Sequence, residues 1–182
     1  MSESPGIYTV KRLEVGGQRL EDNERFSGDF DHLIELEGKY SNDPADPGGE
    51  TRYGISIRWH PEAKIFDLPE EEQEDEARRF YLEEYWTPHY STIIDEDVRR
   101  EVFEFAVHKN PRAANSLLQV AVFKSGGSNL KIDGILGPRS IDAINNHPDM
   151  ALLHCKLQLL IINYYYGTNP KQLRGFIGRV LK

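Results

Sequence analysis

Hydrophobic residues recur at intervals of three and four along most of this 182-residue chain, a spacing that predicts helices rather than strands. The stretch "FDHLIELE" predicts a short helix, with Asp29 as its N-cap and Gly38 as its stop. The segment "LPEEEQEDEARRFYLEEYW" predicts a second helix, whose early acids complement the helix dipole as a solvated face. "DVRREVFEFAVHKN" and "RAANSLLQVAVFK" predict two more, broken at Pro111. "SGGSNLKIDGILGP" reads as a loop in which Asp133-Gly134 makes a tight turn between two short extended pieces. A helix from Pro138, then "DMALLHCKLQLLIINYYY" and "PKQLRGFIGRV", complete the pattern. The middle one is apolar on nearly every side yet carries His154 and Lys156, which predicts a helix buried centrally in the fold rather than a membrane span. Residues 1–25 read as an irregular leader in which "IYTVKRLEV" makes an edge strand. The expected fold class is all-α, or nearly so, with short β-hairpin pieces.

Composition narrows the function classes. A hydrophobic content of 38% supplies a real core, and a net charge of -8 argues against binding nucleic acid through its phosphates. The single Cys155 excludes an internal disulfide framework and a four-thiolate zinc site, and its apolar setting predicts a buried thiol. The start of the chain lacks the apolar run of a secretory signal and no stretch reaches membrane-spanning length. The chain is therefore expected to be made in the cytoplasm.

The candidate chemistry lies in "ELEGKYSNDPADPGGETRYGIS". On a helical wheel Phe30, Leu33, Ile34 and Glu37 share one face, while His32 and Glu35 point away. A carboxyl at the end of an apolar stripe loses hydration, which raises its pKa towards that of a general acid. The competing reading is that the helix ends before the stripe is buried and Glu37 reaches solvent. Asp43 and Asp46 each precede a proline, and Gly48-Gly49 permits a sharp reversal, so a stiff acidic loop folds back beside the helix. Such a loop holds a second, ionised carboxylate near the first. Two acids in split environments are the minimum apparatus for cleaving a glycosidic bond. Turn capping is the competing role for both aspartates and the better one for Asp43.

The same residues carry a resemblance. "EGKYSNDPADPGGETRYGIS" resembles the signature of glycoside hydrolase family 108, lysozyme-like N-acetylmuramidases with a Glu-Gly-Gly-Tyr tetrad followed by Asn-Asp-Pro, Asp-Pro-Gly-Gly and Thr-x-x-Gly-Ile. "YLEEYW", "FEFAVHKNPRAANSLLQVAV" and "IDGILGPRSIDAI" with "RGFIGRV" are similar to later family segments, the last to a predicted peptidoglycan-binding region. The resemblance implies a mainly α, lysozyme-like fold, with a leader at 1–25, a catalytic lobe at 26–115 and a helical peptidoglycan-binding lobe at 116–182. It places the catalytic acid on Glu37 and its partner on Asp46, nine positions later, with Thr51 as a third participant in the manner of phage-type lysozymes, from which its offset differs by one residue. Tyr40, Tyr53 and Trp86 are implied sugar-groove aromatics, with a place in the core as the competing reading for Tyr53 and Trp86.

The implied activity is hydrolysis of the β-1,4 bond between N-acetylmuramic acid and N-acetylglucosamine, without cofactor or metal. The implied partner is the peptidoglycan glycan strand, reached at the periplasmic or extracellular wall with release by a holin or a secretion system. Two departures stand out. Lys39 replaces the tetrad's second glycine, setting a cation two residues from the acid, and His108 occupies the Asn position of Ala-Val-Asn-x-Gly. Rival classes are weaker: the six His show no His-x-x-x-His spacing for a zinc amidase, and the prolines of "NDPADPGGE" do not fit a calcium loop. The serious alternative is a non-catalytic wall-binding or structural protein on the same scaffold.

Overall fold

The computed structural model describes residues 20–42, 49–86, 89–168 and 177. The order of elements is α1 (Leu20–Glu37), β1 (Tyr40–Ser41), β2 (Thr51–Arg52), β3 (Ile55–Ser56), α2 (Glu70–Glu84), α3 (Glu96–His108), α4 (Pro111–Lys124), α5 (Pro138–Asn145) and α6 (Met150–Thr168), with single 3₁₀ turns at Lys64–Phe66 and Tyr90–Thr92. The architecture is mainly α and lysozyme-like, with one small antiparallel sheet in the order β1-β2-β3.

The core sits where α3, α4 and α6 pack on one another, and α1 closes it against α2, α3 and the Tyr90–Thr92 turn. The stripe Phe26, Phe30, Leu33 and Ile34 is buried as its spacing predicts. Phe26, Trp86, Tyr90 and Phe103 form an edge-to-face aromatic cluster beneath α1. Helix starts follow ordinary capping rules: Asp95 accepts the Val98 amide proton at α3, and Asn110 accepts that of Ala113 at α4, where Pro111 takes the first turn. Gln119 of α4 secures the following loop, accepting the amides of Asp133 and Gly134 and donating to Asp133 and the Ile135 carbonyl.

Several expectations are corrected. Helix α1 begins at Leu20, so residues 20–25 are helical and Asp29 lies within the helix instead of capping it. Asp29 is 1% exposed and receives two bonds from Arg99, at 2.7 and 3.1 Å, and one from Arg100 at 3.3 Å. Its local helix-capping chemistry is overridden by this long-range ion pair. Helix α6 is not buried on all sides: Leu153, Leu157, Ile161 and Tyr165 face the core, while Leu159 and Tyr166 are exposed among the described residues. Cys155 falls on that outer face, so its thiol is exposed. The loop at 125–137 turns at Gly134, with φ of 74°, but forms no strand. The proposed edge strand "IYTVKRLEV" and nearly all of "PKQLRGFIGRV" lie outside the described residues.

Candidate active site

Glu37 is the last residue of α1. Gly38 follows with φ of 82°, and its amide bonds the Ile34 carbonyl at 2.9 Å, a left-handed helix stop that suits a residue without Cβ. The chain then enters the sheet. Ser41 pairs with Thr51, so the backbone reverses across the acidic stretch, and Arg52 pairs with Ile55, which leaves Tyr53 and Gly54 as a two-residue hairpin turn. Both have positive φ, 51° and 76°, the requirement of a type I′ turn.

That turn packs on the acid. A Cβ built on Gly54 would stand 3.7 Å from Cβ of Glu37 and 2.7 Å from Oη of Tyr81. Tyr81, 2% exposed, donates its hydroxyl to the Tyr53 carbonyl at 2.9 Å. Burial, and then the nearby charge of Glu37, push the Tyr81 phenol well above the ordinary tyrosine range, so it stays a neutral donor. The hairpin tip is thus fastened to α2 from below and to the end of α1 from the side.

On its other side Glu37 meets α3. His108 Nε2 lies 3.0 Å from Glu37 Oε1, and His108 Nδ1 lies 3.1 Å from the hydroxyl of Tyr165 on α6. The Glu37 side chain is 31% exposed. This changes the expected basis of its chemistry. The apolar stripe is buried, but Glu37 sits at its rim beside an imidazole, not in an oily pocket.

Among the other candidates, Thr51 lies in β2 and its hydroxyl donates to the Ser41 carbonyl at 3.4 Å. Tyr40, 64% exposed, and Tyr53, 8% exposed, line a groove of about 420 Å³ together with Lys39, Arg52, Glu70 and Gln73. Glu37 is in the lining neither of this groove nor of a neighbouring hollow of about 400 Å³ at Phe30, Ile34 and Glu74. Trp86 is corrected: at 3% exposure it belongs to the aromatic core and faces no groove, and its Nε1 has no hydrogen-bond partner among the described residues. Asp46 and Asp43 lie outside the described residues. Lys39 turns its ammonium to Glu74 at 3.0 Å, over the Tyr53 ring, and the hydrogen bond to Glu74 holds its pKa above the ordinary lysine value. Its charge therefore answers Glu74. Sequence reasoning missed the roles of Gly54, Tyr81 and Tyr165, and noted His108 only as a departure. No group of three or more His, Cys, Asp or Glu among the described residues is placed to hold a metal ion. No helix among the described residues is long and apolar enough to cross a membrane.

A glutamate at a helix end, beside the turn of a short antiparallel sheet on a helical core, belongs to a mainly α, lysozyme-like fold. Residues 30–109 match the family model described as Glycosyl hydrolase 108. The fold is similar to that of SagA from Brucella abortus, with a TM-score of 0.61 and 22% identity, over 87% of this chain and 90% of that one. No curated protein matches the chain.

Proposed function

We propose that the chain is a peptidoglycan hydrolase, an N-acetylmuramidase that cleaves the β-1,4 bond between N-acetylmuramic acid and N-acetylglucosamine. The observation that carries this reading is the placement of Glu37, fixed between the Gly54 turn and His108 at the end of α1 within the segment that matches the hydrolase family. In the protonated state Glu37 gives its proton to the glycosidic oxygen as the bond to the sugar breaks. Asp46, with Thr51, orients the water that attacks the resulting cationic centre, and the exposed Tyr40 offers its face to the glycan.

The test is mass analysis of muropeptides released from purified sacculi. The wild type is expected to liberate fragments ending in reducing N-acetylmuramic acid, and Glu37→Gln to lose activity by about 10²–10⁴-fold, the usual contribution of a general acid. Because the amide keeps the shape of the acid, the melting temperature of the variant should stay close to that of the wild type. Equal release by both proteins would remove Glu37 from the reaction. Binding to sacculi without release by either would favour a non-catalytic wall-binding protein.

A further inference from the structure

We infer that His108 is a positioning residue for Glu37, an imidazole anchored at Nδ1 by Tyr165 that holds the acid in its reactive rotamer through Nε2. The inference rests on the proposed role of Glu37 as the proton donor. Its observations are separate: a three-group chain, Glu37–His108–Tyr165, with heavy-atom distances of 3.0 and 3.1 Å, joining the ends of α1 and α3 to α6.

A glutamate with three rotatable bonds at the rim of a helix does not hold a single rotamer on its own. The Gly54 turn lies so near that a Cβ added there would meet Glu37 Cβ at 3.7 Å, which limits where the stem can swing, and the bond from Oε1 to His108 fixes the carboxyl. When Nε2–H donates to Oε1, a proton carried on the other carboxyl oxygen remains available for the glycosidic oxygen. The imidazole itself is held by a tyrosine that is 1% exposed, with its ring 6.4 Å from that of His108. The ring cannot turn without breaking a bond in the core. Both tautomers fit the distances, but only one serves the acid: with the Tyr165 hydroxyl donating to Nδ1, Nε2–H donates to Glu37 Oε1 and leaves a proton on the other oxygen for the substrate, whereas with Nδ1–H given to Tyr165 the Glu37 proton would be spent on Nε2. In both, the protonation of Glu37 is coupled to the imidazole. The groups that bear on this coupling are Glu37 from α1 and Tyr165 from α6, with Tyr81 of α2 behind Glu37, its hydroxyl given to the Tyr53 carbonyl. Lys109, next along the chain, points its ammonium over the Tyr164 ring at 5.1 Å.

Four variants test the inference. His108→Ala and Tyr165→Phe are expected to lower kcat by roughly 10–100-fold with KM within about twofold, since an ångström of misplacement in a reacting group has effects of that size. His108→Gln, which restores an amide donor, should recover part of the loss. The limb of the pH–kcat profile that follows the Glu37 proton should move in His108→Ala. Independently of turnover, the ring-nitrogen NMR signals of His108 should change in Glu37→Gln, because the partner of Nε2 has changed. Unchanged kcat and an unmoved limb in His108→Ala, or unchanged ring-nitrogen signals of His108 in Glu37→Gln, would overturn the positioning role. An active Glu37→Gln would instead overturn the proposed function, so the two failures read differently.

Discussion

Substituting Gly54 by Ala tests whether the hairpin tip is a fitted support for the acid. Two effects add. At φ of 76° alanine occupies the left-handed region, a penalty of about 1–2 kcal/mol relative to glycine. The new methyl would stand 2.7 Å from Oη of Tyr81, closer than carbon and oxygen approach, with Glu37 Cβ at 3.7 Å blocking escape sideways. Relief requires Tyr81 to withdraw from the Tyr53 carbonyl, and losing that buried bond adds about 1–3 kcal/mol. The expected destabilisation is about 2–5 kcal/mol, which for a chain of this length lowers Tm by about 2–4 °C per kcal/mol. Thermal unfolding followed by circular dichroism measures it.

A double-mutant cycle with Tyr81→Phe separates the two effects. Removing Oη opens the space the methyl needs, so the paired substitution should be less destabilising than the sum of the singles by more than about 0.5 kcal/mol, the usual limit of additivity. A Gly54→Ala protein that melts with the wild type, or strict additivity in the cycle, refutes the account of the turn.

Two further predictions concern the frame. Asp29→Ala strands the 6%-exposed Arg99 without its carboxylate and should destabilise by about 3–5 kcal/mol; chemical denaturation showing less than about 1 kcal/mol would mean that Arg99 finds water or another acceptor. His154 on α6 bonds Glu101 of α3 at 3.3 Å, and that bond, with Asp97 and Asp95 adding to it, raises its pKa above the usual histidine value of about 6.5 despite the opposing effect of burial. The folded state thus binds the proton more tightly than the unfolded chain. The contribution is fully present below about pH 6.5 and lost as pH rises through the raised folded value. The gap in Tm between wild type and His154→Gln should therefore narrow from pH 6 to pH 8, by roughly the span over which a histidine titrates; a gap that widens would reverse the sign of the coupling.

Legibility in the sequence followed the range of the interaction concerned. The stripe Phe30, Leu33, Ile34 and the Gly38 stop were readable because they belong to one helix end, within about two and a half consecutive turns. The beginning of α1 was not. Its polar residues have no apolar periodicity of their own, and Arg25 is held by the carbonyls of Ser91 and Ile93, 66 and 68 positions away. Composition misjudged α6 for the opposite reason: apolar residues all round do not reveal which side a neighbour covers, and only the Leu153, Leu157, Ile161 and Tyr165 face is enclosed. Trp86 shows the same limit, since an aromatic beside a polar turn reads alike whether it lines a groove or packs on Phe103 at 5.1 Å.

The surroundings of the acid were the least readable part, and the reason is geometric. His108 stands 71 positions from Glu37 and Tyr165 a further 57 along the chain, so no local pattern links them. The family match ends at residue 109, one position beyond His108, whereas Tyr165 lies well outside it. Helix α3, which carries the histidine, packs on α4 and α6, and Phe105 meets the Tyr165 ring at 5.6 Å. The matched segment therefore relies on helices beyond its own limits both to bury α3 and to hold the imidazole against the acid. A substitution on α6 that leaves Glu37, the hairpin and the groove untouched still reaches the chemistry, because the third group of the chain is rooted there.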